Sequence, residues 1–137
     1  MKTRTLNGFF YGLFMDVDLL NEMGIQALNP RPAFVDGYAL HLGVRATLVP
    51  AEGHKAYGMV IAMTHAELDM LYGASGLQHY RPEAVLAQLL NGNNLPALCY
   101  NLPGPPSPDE ANEEYAGQLR TVLAKLKFPP EYIESVN

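Results

Sequence analysis

A single cysteine, Cys99, stands in 137 residues. It excludes an intrachain disulfide framework and fits a reducing cytoplasm. No run approaches the roughly 20 consecutive apolar residues that a membrane span needs. Positive charge is scarce: nine Lys and Arg face fourteen Asp and Glu, for a formal net charge of −5. That balance argues against binding a phosphate backbone, so no nucleic-acid partner is expected. The four histidines, His41, His54, His65 and His79, show no His-x-x-x-His spacing and have no cysteine partners, so no metal is expected. Glycine-rich phosphate loops, dinucleotide fingerprints and a Ser-His-Asp order are all missing. Met1-Lys2-Thr3-Arg4-Thr5 carries positive charge, but Asp16 and Asp18 cut the apolar stretch behind it and no cleavage site follows. No signal peptide is expected.

What is present suffices for one folded domain over residues 1–137. Hydrophobic residues make up 48% and charged residues 17%, enough apolar material for a core. Leu6 to Tyr11 reads as a buried strand ending at Gly12, and Asp16 to Met23 as a brief helix stopped by Gly24. Asn29-Pro30-Arg31-Pro32 predicts an extended loop, because a residue before proline avoids helical angles. Ala33 to Leu42 is a strand interrupted at Gly37. Ala46 to Val49 is another strand, ended by Pro50, and Ala51 to Lys55 is a polar turn around Gly53. Tyr57 to Met63 is the clearest strand. Thr64-His65-Ala66-Glu67 then matches a capping box and opens a helix that reaches Tyr72, with Gly73 behind it.

Arg81 to Leu90 has good helix propensity, with Pro82 suited to a first turn. The following Asn91-Gly92 is instead a hairpin signal, returning through Ala97 to Leu102. Pro103-Gly104-Pro105-Pro106 is a stiff linker. Ser107 and Pro108 then predict the start of a long helix carrying Ala111, Tyr115, Leu119, Val122, Leu123 and Leu126 on its apolar face. Pro129-Pro130 stops it, and Glu131 to Val136 adds a short terminal helix.

Two elements carry the functional signal. Tyr11-Gly12 stands near the start, and Leu68-Asp69-Met70-Leu71-Tyr72-Gly73 follows the clearest strand. Together they resemble the two signatures of the γ-glutamylcyclotransferase-like family, which includes the AIG2-like proteins. Arg45-Ala46-Thr47-Leu48-Val49-Pro50, Tyr57-Gly58, the Asn-rich hairpin and Phe128-Pro129-Pro130-Glu131-Tyr132-Ile133 extend the resemblance over nearly the whole chain. It implies an α+β fold, a small mixed β-barrel flanked by helices, with a pocket at one barrel mouth. It makes 82–90 a hairpin strand rather than a helix.

The resemblance also implies a reaction. Family enzymes release 5-oxoproline from a γ-glutamyl amide by attack of the substrate's own α-amine on its γ-carbonyl. One glutamate moves the protons, and the Tyr-Gly loop offers backbone N–H groups to anionic oxygens. No cofactor is implied. The substrate-binding stretch maps onto Tyr11, Gly12, Leu13, Phe14 and Met15, and the catalytic glutamate onto Tyr72. A phenol with a pKa near ~10 is mostly protonated at pH 7, a handicap of roughly 4 kcal/mol for a base. Leu13 and Phe14 stand where many relatives carry polar residues. Asp16, Asp69 and Glu83 are the replacement carboxylates to consider, with default roles as cap, local structure and solvated surface. His79 follows the second element, and Cys99 reads as a buried thiol.

Two functions follow from the resemblance: a member that keeps a small-molecule pocket but lacks the acid/base, or an active divergent cyclotransferase acting on a γ-glutamyl or related amide. A structural interaction domain is a third. The first is the expected reading, and the oligomeric state stays open.

Overall fold

β1 (Thr5–Phe10) shows how the chain divides its apolar residues. In a computed structural model, which describes residues 4–136 except 74–76, 78 and 108, Phe9 and Phe10 are both buried but enter different clusters. Successive side chains of a strand point to opposite faces. The Phe9 cluster takes Val35, Val60, Val85, Ala97 and Cys99 from every other strand, so it fills the barrel. The Phe10 cluster joins the outer face of the sheet to the helices through Ile61, Met63, Leu68, Leu71, Leu119 and Leu123.

The described residues form a closed barrel in the order β1-β3-β2-β4-β5. β2 is Leu28–Leu42, β3 Ala46–Thr64, β4 Arg81–Leu89 and β5 Asn94–Asn101. Neighbours are antiparallel, except that β1 and β5 meet in parallel at Gly8 and Leu98. α1 (Val17–Glu22), α2 (His65–Tyr72), α3 (Glu113–Lys125) and α4 (Pro130–Ser135) flank it. The α+β barrel implied by the resemblance is the observed fold.

β4 is a strand, against its helix propensity. Val85, Ala87 and Leu89 are buried while Ala84 and Leu86 are exposed, a period of two that fits a sheet and not a helix. Its ladder to β5 runs from Arg81–Asn101 to Gln88–Asn94. Gly92, at φ +97, makes the hairpin turn.

Four local expectations are corrected. Residues 29–32 are extended but belong to β2, where Asn29 at φ 49 absorbs a register shift between Leu28 and Arg31. Pro50 does not end its strand. It pairs with Tyr38, and β1 joins β3 only from Met59 onward, so the missing N–H costs no ladder bond on a second side. Ala51 to Lys55 is accordingly not a turn: residues 51–54 bulge opposite Gly37 between the Asp36–Lys55 and Tyr38–Pro50 pairs. The long helix begins at Glu113, not Ser107. Glu110 accepts from the Ser107 and Val44 amides at 2.9 and 3.1 Å, which holds this stretch against the β2–β3 turn. Asn112 supplies the cap instead, accepting from the Tyr115 amide at 3.0 Å. Pro108, expected in the first turn, lies outside the described residues.

Gly58 is the tightest point of the sheet. A Cβ there would lie 2.2 Å from the Phe10 carbonyl oxygen and 3.0 Å from the Phe9 ring. Since the obstacle is backbone, Gly58→Ala is expected to destabilise by about 2 kcal/mol or more in urea unfolding. Gly104→Ala, which meets nothing within 4 Å, is expected to leave the midpoint nearly unchanged.

Candidate functional site

β1 delivers Tyr11 to one end of the barrel, where its hydroxyl donates to the Tyr100 carbonyl at 2.7 Å. Gly12 follows because α3 crowds the loop: a Cβ would sit 2.5 Å from the Tyr115 hydroxyl. That hydroxyl accepts from the Leu13 amide at 3.4 Å. Leu13–Met15 is one 3₁₀ turn, closed by Met15 N–H donating to the Gly12 carbonyl at 3.0 Å. Of the loop amides at Gly12, Leu13 and Phe14 that could face a ligand, the Leu13 amide is therefore engaged within the protein.

A cavity of about 350 Å³ opens beside this loop. Tyr11, Gly12, Leu13 and Phe14 line one wall, and Tyr72 and Tyr80 another. Val44, Arg45 and Ala46 close it from the β2–β3 turn, with Asn112 and Tyr115 from the start of α3. The sequence-derived residues Tyr11 to Phe14 and Tyr72 thus share one cavity. Met15 does not line it: its side chain is fully buried in the outer core.

The capping box of α2 explains where Tyr72 points. Thr64 accepts from the Glu67 amide at 3.1 Å, and Glu67 accepts from the Thr64 amide at 2.9 Å. That locks the helix start to the end of β3 and brings its last residue over β5. Tyr72 stacks on Tyr100 with ring centroids 4.0 Å apart and planes 8° apart. Tyr80 and Phe14 each lie 5.8 Å away by centroid, tilted and edge-on. Burial, then the neighbouring Cys99 and tyrosines, push the Tyr72 phenol well above its ordinary range.

Among the described residues no carboxylate lines the cavity. Asp69 is exposed on α2, its carbonyl accepts from Gly73 at 2.7 Å, and its charge adds to the upward push of burial on the Tyr100 phenol. Asp16 caps α1 and meets Lys125 Nζ at 2.9 Å. Glu83 is exposed on β4. None of the three lines the cavity. His79 is exposed and away from it, whereas its neighbour Tyr80 lines it and donates to the Ala46 carbonyl. Among the described residues no group of three or more His, Cys, Asp or Glu could hold a metal ion. No helix among them is long and apolar enough to cross a membrane.

The sequence reading missed Arg45, Tyr80, Asn112 and Tyr115 as cavity residues. Tyr115 was legible only as part of an apolar helix face. The other three reach the mouth through the β2–β3 turn, the α2–β4 connection and the α3 cap, which no local pattern ties together.

The comparisons with known proteins bear on the family and the fold. A sequence model of the family described as "Gamma-glutamyl cyclotransferase, AIG2-like" matches residues 8–119. The chain belongs to that family. A solved structure named "Gamma-glutamyl cyclotransferase" superposes with a TM-score of 0.80 at 17% identity, over 97% of this chain and 86% of that one. An uncharacterised protein from Homo sapiens gives 0.77 at 19%, over 96% and 86%. An AIG2-like protein from Mus musculus gives 0.59 at 15%, over 81% and 90%. At these identities the superpositions speak for the AIG2-like fold alone. No curated protein matches the sequence.

The tyrosines of this fold make its alkaline behaviour testable. Burial raises Tyr80 and Tyr132 to about 12 from an ordinary 10.0. The unfolded chain then loses protons first as pH rises, so the stability these groups contribute is full below pH ~10 and is lost progressively as pH passes through their folded values. Urea midpoints are expected to hold between about pH 7 and 9 and fall above about 10. A midpoint still rising above about pH 10 would contradict the burial.

Proposed function

We propose that this protein is a γ-glutamylcyclotransferase-like small-molecule binder that lacks the family's acid/base. The observation that carries the reading is chemical: no aspartate or glutamate is among the described residues of the cavity wall, and Tyr72 stands at the end of α2 inside a stack of rings. The residues outside the description up to Pro108, Met1 to Thr3, Ala74 to Gly76 and Gln78, add no acidic side chain either. Internal attack by an α-amine needs a group that first accepts a proton from the ammonium and later donates one to the leaving amine. A phenol held above its ordinary pKa is a donor at neutral pH and a very poor acceptor.

Recognition points the same way. Leu13 and Phe14 present apolar side chains where a zwitterionic glutamyl group would need compensation for its lost hydration. The Tyr11-Gly12 loop and the cavity remain, which supports binding without the standard reaction.

The purified protein is expected to release 5-oxoproline from γ-glutamyl amines at no more than background rate, read by mass spectrometry. General acid–base help is typically worth about 10²- to 10⁴-fold. Tyr72→Glu is expected to give a detectable gain in 5-oxoproline, with weak substrate binding, because burial would raise a glutamate pKa toward a value suited to both proton steps. Turnover at an ordinary enzymatic rate by the parent protein would overturn the reading. A folded Tyr72→Glu variant with no gain would mean either that the pocket does not bind such substrates or that Tyr72 is not the position of the acid/base.

A further inference from the structure

The cavity described above holds one charged side chain among its described residues, the guanidinium of Arg45. Arg45 sits in the tight turn between β2 and β3, where its carbonyl accepts from the Gly43 amide at 3.0 Å. Its side chain is exposed and has no ion-pair partner among the described residues, whose ion pairs join Lys125 to Asp16 and Asp18. Glu110, held against the same turn, does not line the cavity, and its two oxygens accept from the Val44 and Ser107 amides.

The turn that carries Arg45 is held firmly. Asn112 Nδ2 donates to the Val44 carbonyl at 3.1 Å, and the Tyr80 hydroxyl donates to the Ala46 carbonyl. The residues on either side of Arg45 are thus pinned from α3 and from the α2–β4 connection. The positive charge of Arg45 is felt inside the wall, where it opposes the upward push of burial on the Tyr80 phenol. A cation on a fixed turn, facing a cavity of rings and aliphatic groups, is an anion anchor with an apolar slot behind it.

We infer that the cavity takes a monocarboxylate with an aromatic or apolar body and no α-ammonium group, its carboxylate held by Arg45 and its body lying against Phe14, Tyr72 and Tyr80. The exclusion of ammonium follows from the same wall. It offers Arg45 as a like charge and no carboxylate as a partner, so a buried ammonium would lose hydration with no ion pair to offset the loss and a cation beside it. A volume of about 350 Å³ admits one such molecule. This selectivity rests on the binding reading above and deepens it: a γ-glutamyl compound carries the α-ammonium that the wall disfavours.

The test uses 3-phenylpropanoate, its neutral amide 3-phenylpropanamide, and phenylalanine, which adds only an α-ammonium to the first. Affinities are read by calorimetry or ligand-observed NMR on the full chain. The carboxylate is expected to bind about ten-fold more tightly than the amide, and more tightly than phenylalanine by a similar factor. Arg45→Gln, at an exposed position, is expected to lower carboxylate affinity about ten-fold and so to remove the preference over the amide. Arg45→Lys is expected to retain part of the preference, since it keeps the charge but loses the planar fork.

Equal binding of carboxylate and amide, a preference that survives Arg45→Gln, tighter binding of phenylalanine, or no binding of any probe would each overturn the ligand class. The outcomes separate from those of the activity assay. A protein that binds none of the probes yet releases no 5-oxoproline loses this inference and keeps the missing acid/base. One that binds the carboxylate through Arg45 but turns over γ-glutamyl amines loses the other.

Discussion

Closure of the sheet at β1 is the constraint on which the rest of the molecule depends. β1 pairs with β3 over six residues on one side and meets β5 in parallel at Gly8 and Leu98 on the other. A closed seam fixes the position of the chain as it leaves the barrel. Glycine at two points leaves room for Phe10. A Cβ at Gly8 would come within 2.8 Å of the Phe10 ring, and one at Gly58 would meet the Phe10 carbonyl. With Phe10 so placed, Tyr11 and Gly12 must emerge at the mouth, where Tyr11 bonds to the end of β5 and Tyr115 closes over Gly12. The same β3 strand, capped at Thr64, delivers α2 and its last residue Tyr72 to that mouth.

What gathers there sets the chemistry. Tyr11, Tyr72, Tyr80 and Tyr115 all have phenols raised by burial. They supply hydroxyl donors and ring faces but no group ionised near neutrality. Cys99, beneath them in the barrel, has its thiol pushed up to about 12 and behaves as core. The proposed loss of proton-transfer chemistry and the proposed taste for a carboxylate therefore share one physical origin, a weakly charged wall with a single guanidinium.

Much of the fold was legible in sequence because it rests on local rules. Thr64 and Glu67 specify the α2 start by mutual hydrogen bonds three residues apart, and both are made. Asn91-Gly92 specifies the hairpin through a positive φ at Gly92. Pro50 and residues 51–54 were misread because proline and glycine usually punctuate, whereas a bulged ribbon paired mainly on one side accommodates both. Ser107 was misread as a cap because Glu110 draws its segment onto the β2–β3 turn, a contact 66 residues away in the chain. The candidate site divides likewise. Tyr11 to Phe14 and Tyr72 came from motifs, and Met15, in the same motif, turned into the core. Arg45, Tyr80 and Asn112 reach the mouth only through long-range packing, which a single sequence does not display.

Whether the barrel mouth holds any group able to exchange protons near neutral pH is read most directly by ¹³C NMR of tyrosine Cζ as a function of pH. The resonances of Tyr11, Tyr72, Tyr80 and Tyr115 would be assigned by single Tyr→Phe substitutions. The expected result is that all four phenols stay protonated up to about pH 9.5. A midpoint between about pH 6 and 8 for Tyr72, or for any of the other three, would supply the missing base and contradict the account.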